Sequence, residues 1–254
     1  MPSVSKDNSF ADKKVLITGG GSGIGADLAQ AFAEAGARVI IAGRTEAKLQ
    51  QVAAAHSRIE YRIADVTDAA SVEALFSDIG SLDIVIANAG AASSAPLRKT
   101  SLEDWQRMLD VNLTGVFLTL QGGLNKLTDG GRLLAVASTA GLKGYPYVAP
   151  YCAAKHGVIG LVRALALETA KQGITVNALC PGFTETPLLD ESLANISAKT
   201  GLSNTEARAQ LTATNPQGRL IQPSDVSAAA LWLASPAAQA ITGQAIAIAG
   251  GELS

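Results

Sequence analysis

The sequence contains few of the residues that staple small proteins or bind metals. It has 2 cysteines, 2 histidines, 2 tryptophans and 2 methionines among 254 residues. Cys152 and Cys180 lie in apolar surroundings at no paired spacing, so we expect reduced thiols in a cytoplasmic protein. The His and Cys residues also lack the spacing of metal ligands, so we expect no metal site.

Charge and long apolar runs are also scarce. Charged residues make up 17% of the chain and the net charge is −2, which provides no basic surface for nucleic acid or an anionic membrane. No apolar run approaches the ~20 residues that span a bilayer. The first ten residues are too polar for the apolar segment of a signal peptide. We therefore expect neither a nucleic-acid partner nor a membrane partner.

Apolar strands and helical patterns alternate along the chain instead. Hydrophobic residues make up 48%, which is enough for a substantial core without disulfides or metals. The alternation predicts an α/β fold with a Rossmann-type, doubly wound parallel sheet of about seven strands and helices on both faces. The predicted strands are 14–19, 39–42, 61–64, 82–87, 132–138, 174–179 and 244–249, and the two longest helices cover about 101–126 and 151–171.

Residues 1–254 are expected to form a single domain with two irregular segments. Residues 1–11 are polar and are expected to be a loose tail. Residues 183–204 form a polar stretch without a clear periodic pattern. A structureless segment that long inside a compact domain is usually functional, so we expect residues 183–204 to cover the substrate.

A glycine-rich loop follows the first predicted strand and precedes a helix. It reads Gly19-Gly20-Gly21-Ser22-Gly23-Ile24-Gly25. Glycines permit a tight turn and let backbone N–H groups and a helix N-terminus approach a pyrophosphate. A glycine cluster alone is more often an ordinary loop, but its position between a strand and a helix favours dinucleotide binding.

The end of the second strand bears on which dinucleotide binds. An acidic residue there would favour NAD, whereas this chain has Gly43, Arg44 and Thr45. A guanidinium can bind a phosphate, so the pattern favours NADP(H). NAD(H) stays possible, because Arg44 could also be a solvated side chain at a helix start.

Tyr151 and Lys155 are four residues apart in a helical pattern, so they share one face of the helix. A nearby ammonium lowers a phenol pKa by about 1–3 units, towards the working range of an acid or base. Such a pair alone is weak, but other residues follow directly on predicted strands and should line one edge of the sheet. They are Gly19, Asn88, Ser138 and Pro181.

Taken together, the motifs resemble the short-chain dehydrogenase/reductase family, in its single-domain branch of about this length. The resemblance covers residues 12 to 252. Each motif is weak by itself, but their order and spacing are highly specific. The motifs are Thr18-Gly19-xxx-Gly23-x-Gly25, Asn88-Ala89-Gly90, Asn112, Ser138, Tyr151-xxx-Lys155 and Pro181-Gly182.

The resemblance implies four catalytic residues. Tyr151 would be the general acid in reduction and the base in oxidation. Lys155 would hold the nicotinamide ribose and lower the Tyr151 pKa. Ser138 would bind the substrate oxygen, and Asn112 would hold a water linking Lys155 to solvent.

The resemblance also implies a cofactor site along the same edge. The glycine loop would contact the pyrophosphate, Arg44 and Thr45 the far ribose, and the segment after Pro181 the carboxamide. The implied cofactor-binding residues are Gly19, Ser22, Gly23, Ile24, Gly25, Arg44, Thr45, Asp65, Val66, Asn88, Ala89, Gly90, Tyr151, Lys155, Pro181, Gly182, Thr184 and Thr186.

The activity expected from the resemblance is that of a carbonyl reductase or alcohol dehydrogenase, which interconverts a ketone and a secondary alcohol. The expected pocket is apolar and could take a 3-oxoacyl or 3-hydroxyacyl thioester, with Lys143, Arg98 or Lys199 at its rim. Family members typically form homotetramers or homodimers through the two long helices.

Two alternatives stay open. The first is an NAD-preferring catabolic alcohol dehydrogenase, and the second is a nucleotide-binding scaffold that has lost its chemistry. The presence of Asn112, Ser138, Tyr151 and Lys155 counts against the scaffold.

Overall fold

The strands are built from apolar runs buried on both faces, the pattern expected for a parallel sheet covered by helices. Val15, Leu16 and Ile17 of the first strand are each 0% exposed. The structure, a computed structural model, describes residues 10–253. Its strands are β1 Lys14–Thr18, β2 Arg38–Gly43, β3 Ile59–Ile63, β4 Leu82–Ala87, β5 Leu127–Val136, β6 Thr175–Pro181 and β7 Ala245–Ile248.

The sheet confirms the predicted fold. Its strands are parallel in the order β3-β2-β1-β4-β5-β6-β7. The order reverses between β1 and β4, and ligands of such sheets bind at that point, beyond the carboxyl ends of the strands. The helices are α1 Gly23–Glu34, α2 Glu46–Ala54, α3 Ala69–Ser77, α4 Leu102–Leu109, α5 Gly115–Leu124, α6 Ala149–Thr169, α7 Pro187–Thr200, α8 Asn204–Thr212 and α9 Pro223–Ala234.

Helices cover the two faces of the sheet and form two hydrophobic layers. On one face, α3, α5 and α6 pack on the sheet through residues such as Phe76, Leu120 and Val158. On the other face, α1, α2 and α9 pack through residues such as Phe32 and Leu233. Both layers anchor the strands, so the carboxyl edge of the sheet is a firm base for a site.

The predicted helix over 101–126 is wrong as a single element. It divides into α4 and α5, separated by a π-helical segment over Asp110–Thr114. At the start of α5, Gly115 packs closely against Val66, since a Cβ on Gly115 would lie 2.8 Å from Val66 Cγ2. The next strand also begins at Leu127, before the predicted residue 132.

The expectation that residues 183–204 are irregular is also wrong. Most of this segment is α7, which is followed directly by α8. Thr186 caps α7 by accepting a bond from the Leu189 N–H, and Gly201 ends it with a φ of +76°. These are ordinary start and stop signals of a helix. The α7–α8 hairpin has its own apolar cluster, formed by Leu189, Leu193, Ala207 and Leu220.

The predicted tail over residues 1–11 lies mostly outside the described residues. At Phe10 the structure differs from a loose tail, because this side chain is 4% exposed. Its ring packs edge-on against Phe32, with the centroids 5.2 Å apart. Phe10 therefore anchors the chain before β1.

Residues 10–253 contain neither a membrane-spanning helix nor a metal-binding cluster. In that range, no helix combines the length and apolarity needed to cross a bilayer. The same residues contain no group of three His, Cys, Asp or Glu side chains arranged to hold a metal ion.

Candidate active site

The loop after β1 is closed by contacts that only glycine permits. A Cβ on Gly25 would lie 2.2 Å from the Gly19 carbonyl oxygen, and Gly19 has a φ of +69°. The Asn88 amide donates to the carbonyls of Thr18 and Gly19, at 3.0 and 3.2 Å. The Thr18 hydroxyl accepts from the N–H groups of Asn88 and Ala89. These bonds join the ends of β1 and β4 into one surface.

The first turn of α1 fits an anion. In the described part of the chain, the Ser22 hydroxyl accepts no bond from the first amides of α1. Uncapped amides and the helix dipole favour a phosphate group at this position. A Cβ on Gly23 would lie 3.1 Å from Thr186 Cγ2, so the residue that caps α7 borders the same space. The glycine loop therefore fits the pyrophosphate of a dinucleotide.

Arg44 and Asp65 meet at the ends of β2 and β3. Their nearest charged atoms, Arg44 Nη1 and Asp65 Oδ2, are 3.8 Å apart, and the Arg44 side chain is 70% exposed. Burial alone would raise the pKa of Asp65, but hydrogen bonds from the Thr67 N–H and hydroxyl, together with Arg44, lower it below its usual value. The Asp65 carboxylate therefore stays charged at neutral pH.

An open groove of about 390 Å³ lies beside this pair. Its wall runs from Arg44 and Thr67 to Arg107 and Val111. Thr45 is exposed and serves as the N-terminal residue before α2. The geometry leaves Arg44 accessible at the position where the second ribose of a dinucleotide was expected.

Asn112 lies in the π-helical segment and is fully buried. Its Oδ1 accepts from the Ala91 N–H at 3.2 Å, and its Nδ2 donates to the Ala91 carbonyl at 2.9 Å. A Cβ on Gly90 would lie 3.0 Å from Asn112 Oδ1 and 3.8 Å from Lys155 Nζ. The loop after β4 thus passes between Asn112 and Lys155, and glycine makes room for both.

Tyr151, Lys155 and Ser138 come together beyond β5. Ser138 is buried, directly after the strand, and forms a hydrogen bond with Tyr151. Lys155 is 3% exposed, and its Nζ donates to the Val136 carbonyl at 2.8 Å. The same Nζ lies 5.6 Å from the centroid of the Tyr151 ring. A hydroxyl, a phenol and an ammonium therefore converge at the carboxyl edge of the sheet.

The pKa values at this cluster differ from the expectation. Burial raises the pKa of Tyr151 to about 12, although the bond with Ser138 opposes that shift. Burial also lowers the pKa of Lys155 to about 8. That Lys155 lowers the Tyr151 pKa stays a prediction. The net shift at Tyr151 is opposite to the expected one, because burial of the phenol outweighs the hydrogen bond with Ser138. Tyr151 is therefore held in the protonated form that an acid requires.

The other predicted cofactor residues with side chains beyond the glycine loop are buried or partly buried. Ile24 packs against the apolar layer beneath α1, and Val66 is buried against Gly115. Pro181 ends β6, and the Thr184 hydroxyl donates to the Gly182 carbonyl at 2.9 Å. These residues shape the cleft mainly through the backbone they support.

Two aromatic side chains, which we call the aromatic wall, pack on each other in the segments that follow β5 and β6. The Tyr145 ring packs edge-on against Phe183, with centroids 6.0 Å apart. Its hydroxyl contacts Thr139 at 2.8 Å and Glu252 at 2.5 Å. Glu252 was not anticipated from the sequence. Its position shortly after the last strand, behind Gly250 and Gly251, was the available signal.

The α7 helix is tied to the loop after β4. Asn195 Nδ2 donates to the Ser94 hydroxyl at 2.7 Å, and Lys199 Nζ donates to the Ser94 carbonyl at 2.6 Å. Of the predicted rim cations, Lys199 and Lys143 therefore have partners within the chain, Lys143 pairing with Glu252. Arg98 is exposed in a short 3₁₀ turn.

Comparisons with known proteins agree with this geometry. A family model described as enoyl-(acyl carrier protein) reductase matches residues 19–252. A putative ketoacyl reductase of Streptomyces coelicolor is 38% identical over 250 residues, covering 93% of this chain and 95% of that protein. D-beta-hydroxybutyrate dehydrogenase of Cupriavidus necator is 36% identical over 242 residues, covering 91% of this chain and 94% of that one.

A solved structure is similar as well. The crystal structure of a variant of actinorhodin polyketide ketoreductase with NADPH matches with a TM-score of 0.89 and 36% identity. The match covers 95% of this chain and 97% of the other. Fold and sequence therefore agree over almost the whole length.

The chain belongs to the short-chain dehydrogenase/reductase family. It is an NAD(P)-dependent oxidoreductase that acts on a ketone or alcohol. This result sets aside the alternative of a scaffold without chemistry.

Proposed function

We propose that this protein reduces an apolar ketone to a secondary alcohol with NADPH, at the cluster of Ser138, Tyr151 and Lys155. The observation that carries the proposal is the convergence of these side chains at the carboxyl edge of the sheet, with the Lys155 ammonium 2.8 Å from the Val136 carbonyl. When bound, the nicotinamide supplies the hydride in reduction and accepts it in oxidation.

The protein contributes the proton and the charge stabilisation. Tyr151 donates its proton to the substrate oxygen as that oxygen becomes an alkoxide, and its raised pKa keeps the proton available. Ser138 binds the same oxygen, a form of stabilisation worth about 3–4 kcal/mol per donor in other enzymes. Lys155 places its ammonium below the phenol and offsets the charge left on Tyr151. Asn112 keeps the loop at Gly90 and Ala91 in place beside Lys155.

The substrate is proposed to lie between the aromatic wall and α7. Tyr145, Phe183 and Leu188 present apolar surface there, and residues 183–204 would cover it. The names of the relatives support a 3-oxoacyl thioester as one substrate class, since they include a ketoacyl reductase and a hydroxybutyrate dehydrogenase. Arg98, an exposed cation of the predicted rim, could contact a phosphorylated carrier.

The test is a rate measurement of cofactor oxidation with acetoacetyl-CoA, 1-tetralone and cyclohexanone. We expect turnover with at least one ketone, and we expect Tyr151→Phe to lower kcat by roughly a thousandfold, within the span of acid–base contributions. NADPH affinity should stay close to that of the wild type. Tyr61→Phe is the matched control, because Tyr61 is a half-buried tyrosine whose hydroxyl donates to Glu46. Wild-type rates in Tyr151→Phe would refute the proposed mechanism.

The preference for NADP(H) is proposed from Arg44. Because its side chain is 70% exposed beside the groove, it can bind a phosphate on the second ribose. Arg44→Asp should shift the ratio of kcat/KM for NADPH over NADH by about a hundredfold, given a charge-assisted pair worth about 1.5–3 kcal/mol. An unchanged ratio would favour the alternative, an NAD-preferring alcohol dehydrogenase.

We also propose an assembly, from exposed apolar side chains, and a location, from the free thiols. Phe117 on α5 and Leu167 on α6 are 41% and 82% exposed, which suits a homotetramer or homodimer through these helices. Leu167→Glu should then lower the mass seen by light scattering. Cys152 and Cys180 are free thiols, which supports a reducing compartment such as the cytoplasm.

A further inference from the structure

The carboxylate of Glu252 is buried next to the aromatic wall. Its side chain is 3% exposed, whereas its partner Lys143 is 38% exposed. Glu252 Oε1 is 3.1 Å from Lys143 Nζ and 2.5 Å from the Tyr145 hydroxyl. Buried carboxylates persist only where donors compensate them. We call Glu252, Lys143, Tyr145 and Thr139 the Glu252 cluster.

The Glu252 cluster joins the loops that follow three neighbouring strands. Lys143 and Tyr145 lie in the loop after β5, and Glu252 lies after β7. Between them runs the segment after β6, where a Cβ on Gly182 would lie 3.1 Å from Glu252 Oε2. The chain end therefore reaches under the segment that leads to α7.

The hydrogen bonds fix the rotation of the Tyr145 hydroxyl. That hydroxyl has a single proton and makes contacts with both Glu252 and Thr139. Since the carboxylate can only accept, Tyr145 donates to Glu252 and accepts from the Thr139 hydroxyl. Burial and the bond to Glu252 both raise the pKa of Tyr145 far above that of an ordinary phenol. The ring is thus held by a donor at one side and an acceptor at the other.

The held ring lies close to the predicted reacting groups. Thr139 directly follows Ser138, and Phe183 packs on the ring from the segment that leads into α7. The Cys152 thiol, next to Tyr151 in the chain, is close enough to influence the pKa of both Tyr145 and Tyr151. Tyr145 therefore lies near the proton donor and contacts the segment that leads into α7 through Phe183.

We propose that Glu252 is a positioning residue that holds Tyr145 in this place and so determines which ketones the cleft accepts. The proposal rests on the ketone reduction proposed above. Glu252 does not touch the reacting atoms; it acts through the Tyr145 ring. Selectivity between a bulky and a small ketone is the property it should control.

The test compares Glu252→Ala, Tyr145→Phe and the double variant with 1-tetralone and cyclohexanone. We expect Glu252→Ala to raise KM for 1-tetralone about tenfold, with kcat within about threefold, because ground-state fit is lost rather than the proton donor. The ratio of kcat/KM between the two ketones should change at least about fivefold. NADPH affinity should be unchanged. The double variant should resemble Glu252→Ala, since coupled residues are not additive.

The matched control is Asp83→Ala, which removes a carboxylate paired with Lys13 at 2.9 Å at the opposite edge of the sheet. It should leave the ketone ratio at the wild-type value. Glu252→Gln can still accept a hydrogen bond from Tyr145. Its kcat/KM ratio between the two ketones should therefore lie between the ratios of Glu252→Ala and the wild type. Additive effects of the Glu252 and Tyr145 variants, or a ketone ratio as in Asp83→Ala, would overturn the proposal.

A second readout separates this proposal from the proposed function. If the wild type reduces no ketone, the proposed function fails. NMR of ¹³Cζ-labelled tyrosine then tests separately whether Glu252 positions Tyr145. The chain has 4 tyrosines, so the Tyr145 signal can be assigned with Tyr145→Phe. In Glu252→Ala that signal should move at neutral pH while the Tyr61 signal stays. An unmoved Tyr145 signal would overturn the positioning role.

Discussion

The two sides of the cleft are held together by different means. On the glycine-loop side, backbone groups pack so closely that a Cβ on Gly25 would lie 2.2 Å from the Gly19 carbonyl oxygen. On the α7 side, single side-chain hydrogen bonds hold the segments together, such as Asn195 to Ser94 and Tyr145 to Glu252. Backbone contacts leave no alternative geometry, whereas side-chain bonds can be exchanged one at a time. Single substitutions on the glycine-loop side should therefore cause large losses of binding or stability, and single substitutions on the α7 side should cause small ones.

In the comparison of the two sides, the largest effect is expected for Gly25→Ala. The new Cβ meets backbone, which cannot rotate away, so the loop must shift. We expect NADPH affinity to fall by roughly a hundredfold, about 2.7 kcal/mol, and the free energy of unfolding to fall by about 1–3 kcal/mol. Fluorescence titration and urea unfolding measure the two quantities. Gly80→Ala is the control, since the nearest described atom to that Cβ is Lys14 Nζ at 4.0 Å; normal NADPH affinity in Gly25→Ala would contradict the backbone account.

The next effect concerns pH. The lowered pKa of Lys155, about 8, means that its ammonium is present below that pH and is lost as the pH rises through it. With NADPH as the varied substrate, kcat/KM should therefore fall by up to about tenfold per pH unit above the Lys155 pKa. Tyr151, with a pKa of about 12, stays protonated over this range and causes no second decline of kcat/KM below pH 10.

Stopped assays between pH 6 and 10 would give this profile. Circular dichroism over the same range is the control for unfolding. A flat profile up to pH 10 would show that the charge of Lys155 is not required.

A smaller effect is expected when α7 is untied from the loop after β4. The double variant Asn195→Ala/Lys199→Met removes both bonds to Ser94. Because a hydrogen bond contributes about 0.5–1.5 kcal/mol, KM for the ketone should rise about tenfold. NADPH affinity should not change. Ser192→Ala, which removes a bond to a carbonyl of the same helix, is the matched control, and a KM equal to that of the control would mean that the tie is incidental.

The smallest effect is expected at the start of α8. Ser203 accepts from the Glu206 N–H, and the Glu206 carboxylate accepts from the Ser203 N–H, at 2.8 Å. Ser203→Ala removes one half of this cap, so amide exchange in α8 should become about fivefold faster. Exchange in β1, the internal control, should stay the same. Faster exchange in both elements would show that α8 and the sheet open together.

The glycine-loop side was the readable half of the molecule. Apolar runs in the sequence predict buried strands, and Gly19, Gly23 and Gly25 indicate a turn that other residues cannot make. The sheet, its order of elements and the family were predicted correctly for this reason. The roles of the individual site residues stay predictions, although Ser138, Tyr151 and Lys155 do meet at one place.

The α7 side was misread for a physical reason. Its helix signals were present in Thr186, Pro187 and Gly201, but the apolar face of α7 is narrow and packs on α8 rather than on the sheet. Glu252 could not be placed, because its partners Lys143 and Tyr145 lie about a hundred residues away, with Tyr145 at a separation of 107. The rise of the Tyr151 pKa could not be predicted, because helix spacing reveals the neighbouring charge but not the burial of the phenol.

The separate apolar cluster of the α7–α8 hairpin has a consequence for how this chain can change over evolutionary time. Leu189, Leu193, Ala207 and Leu220 pack on one another apart from the two layers that hold the sheet. If α7 covers the substrate as proposed, substitutions there should alter the accepted ketone without disturbing the strands that carry Ser138 and the glycine loop. Under that proposal, substrate range and hydride chemistry are inherited on different parts of one polypeptide, and the first can drift while the second stays fixed.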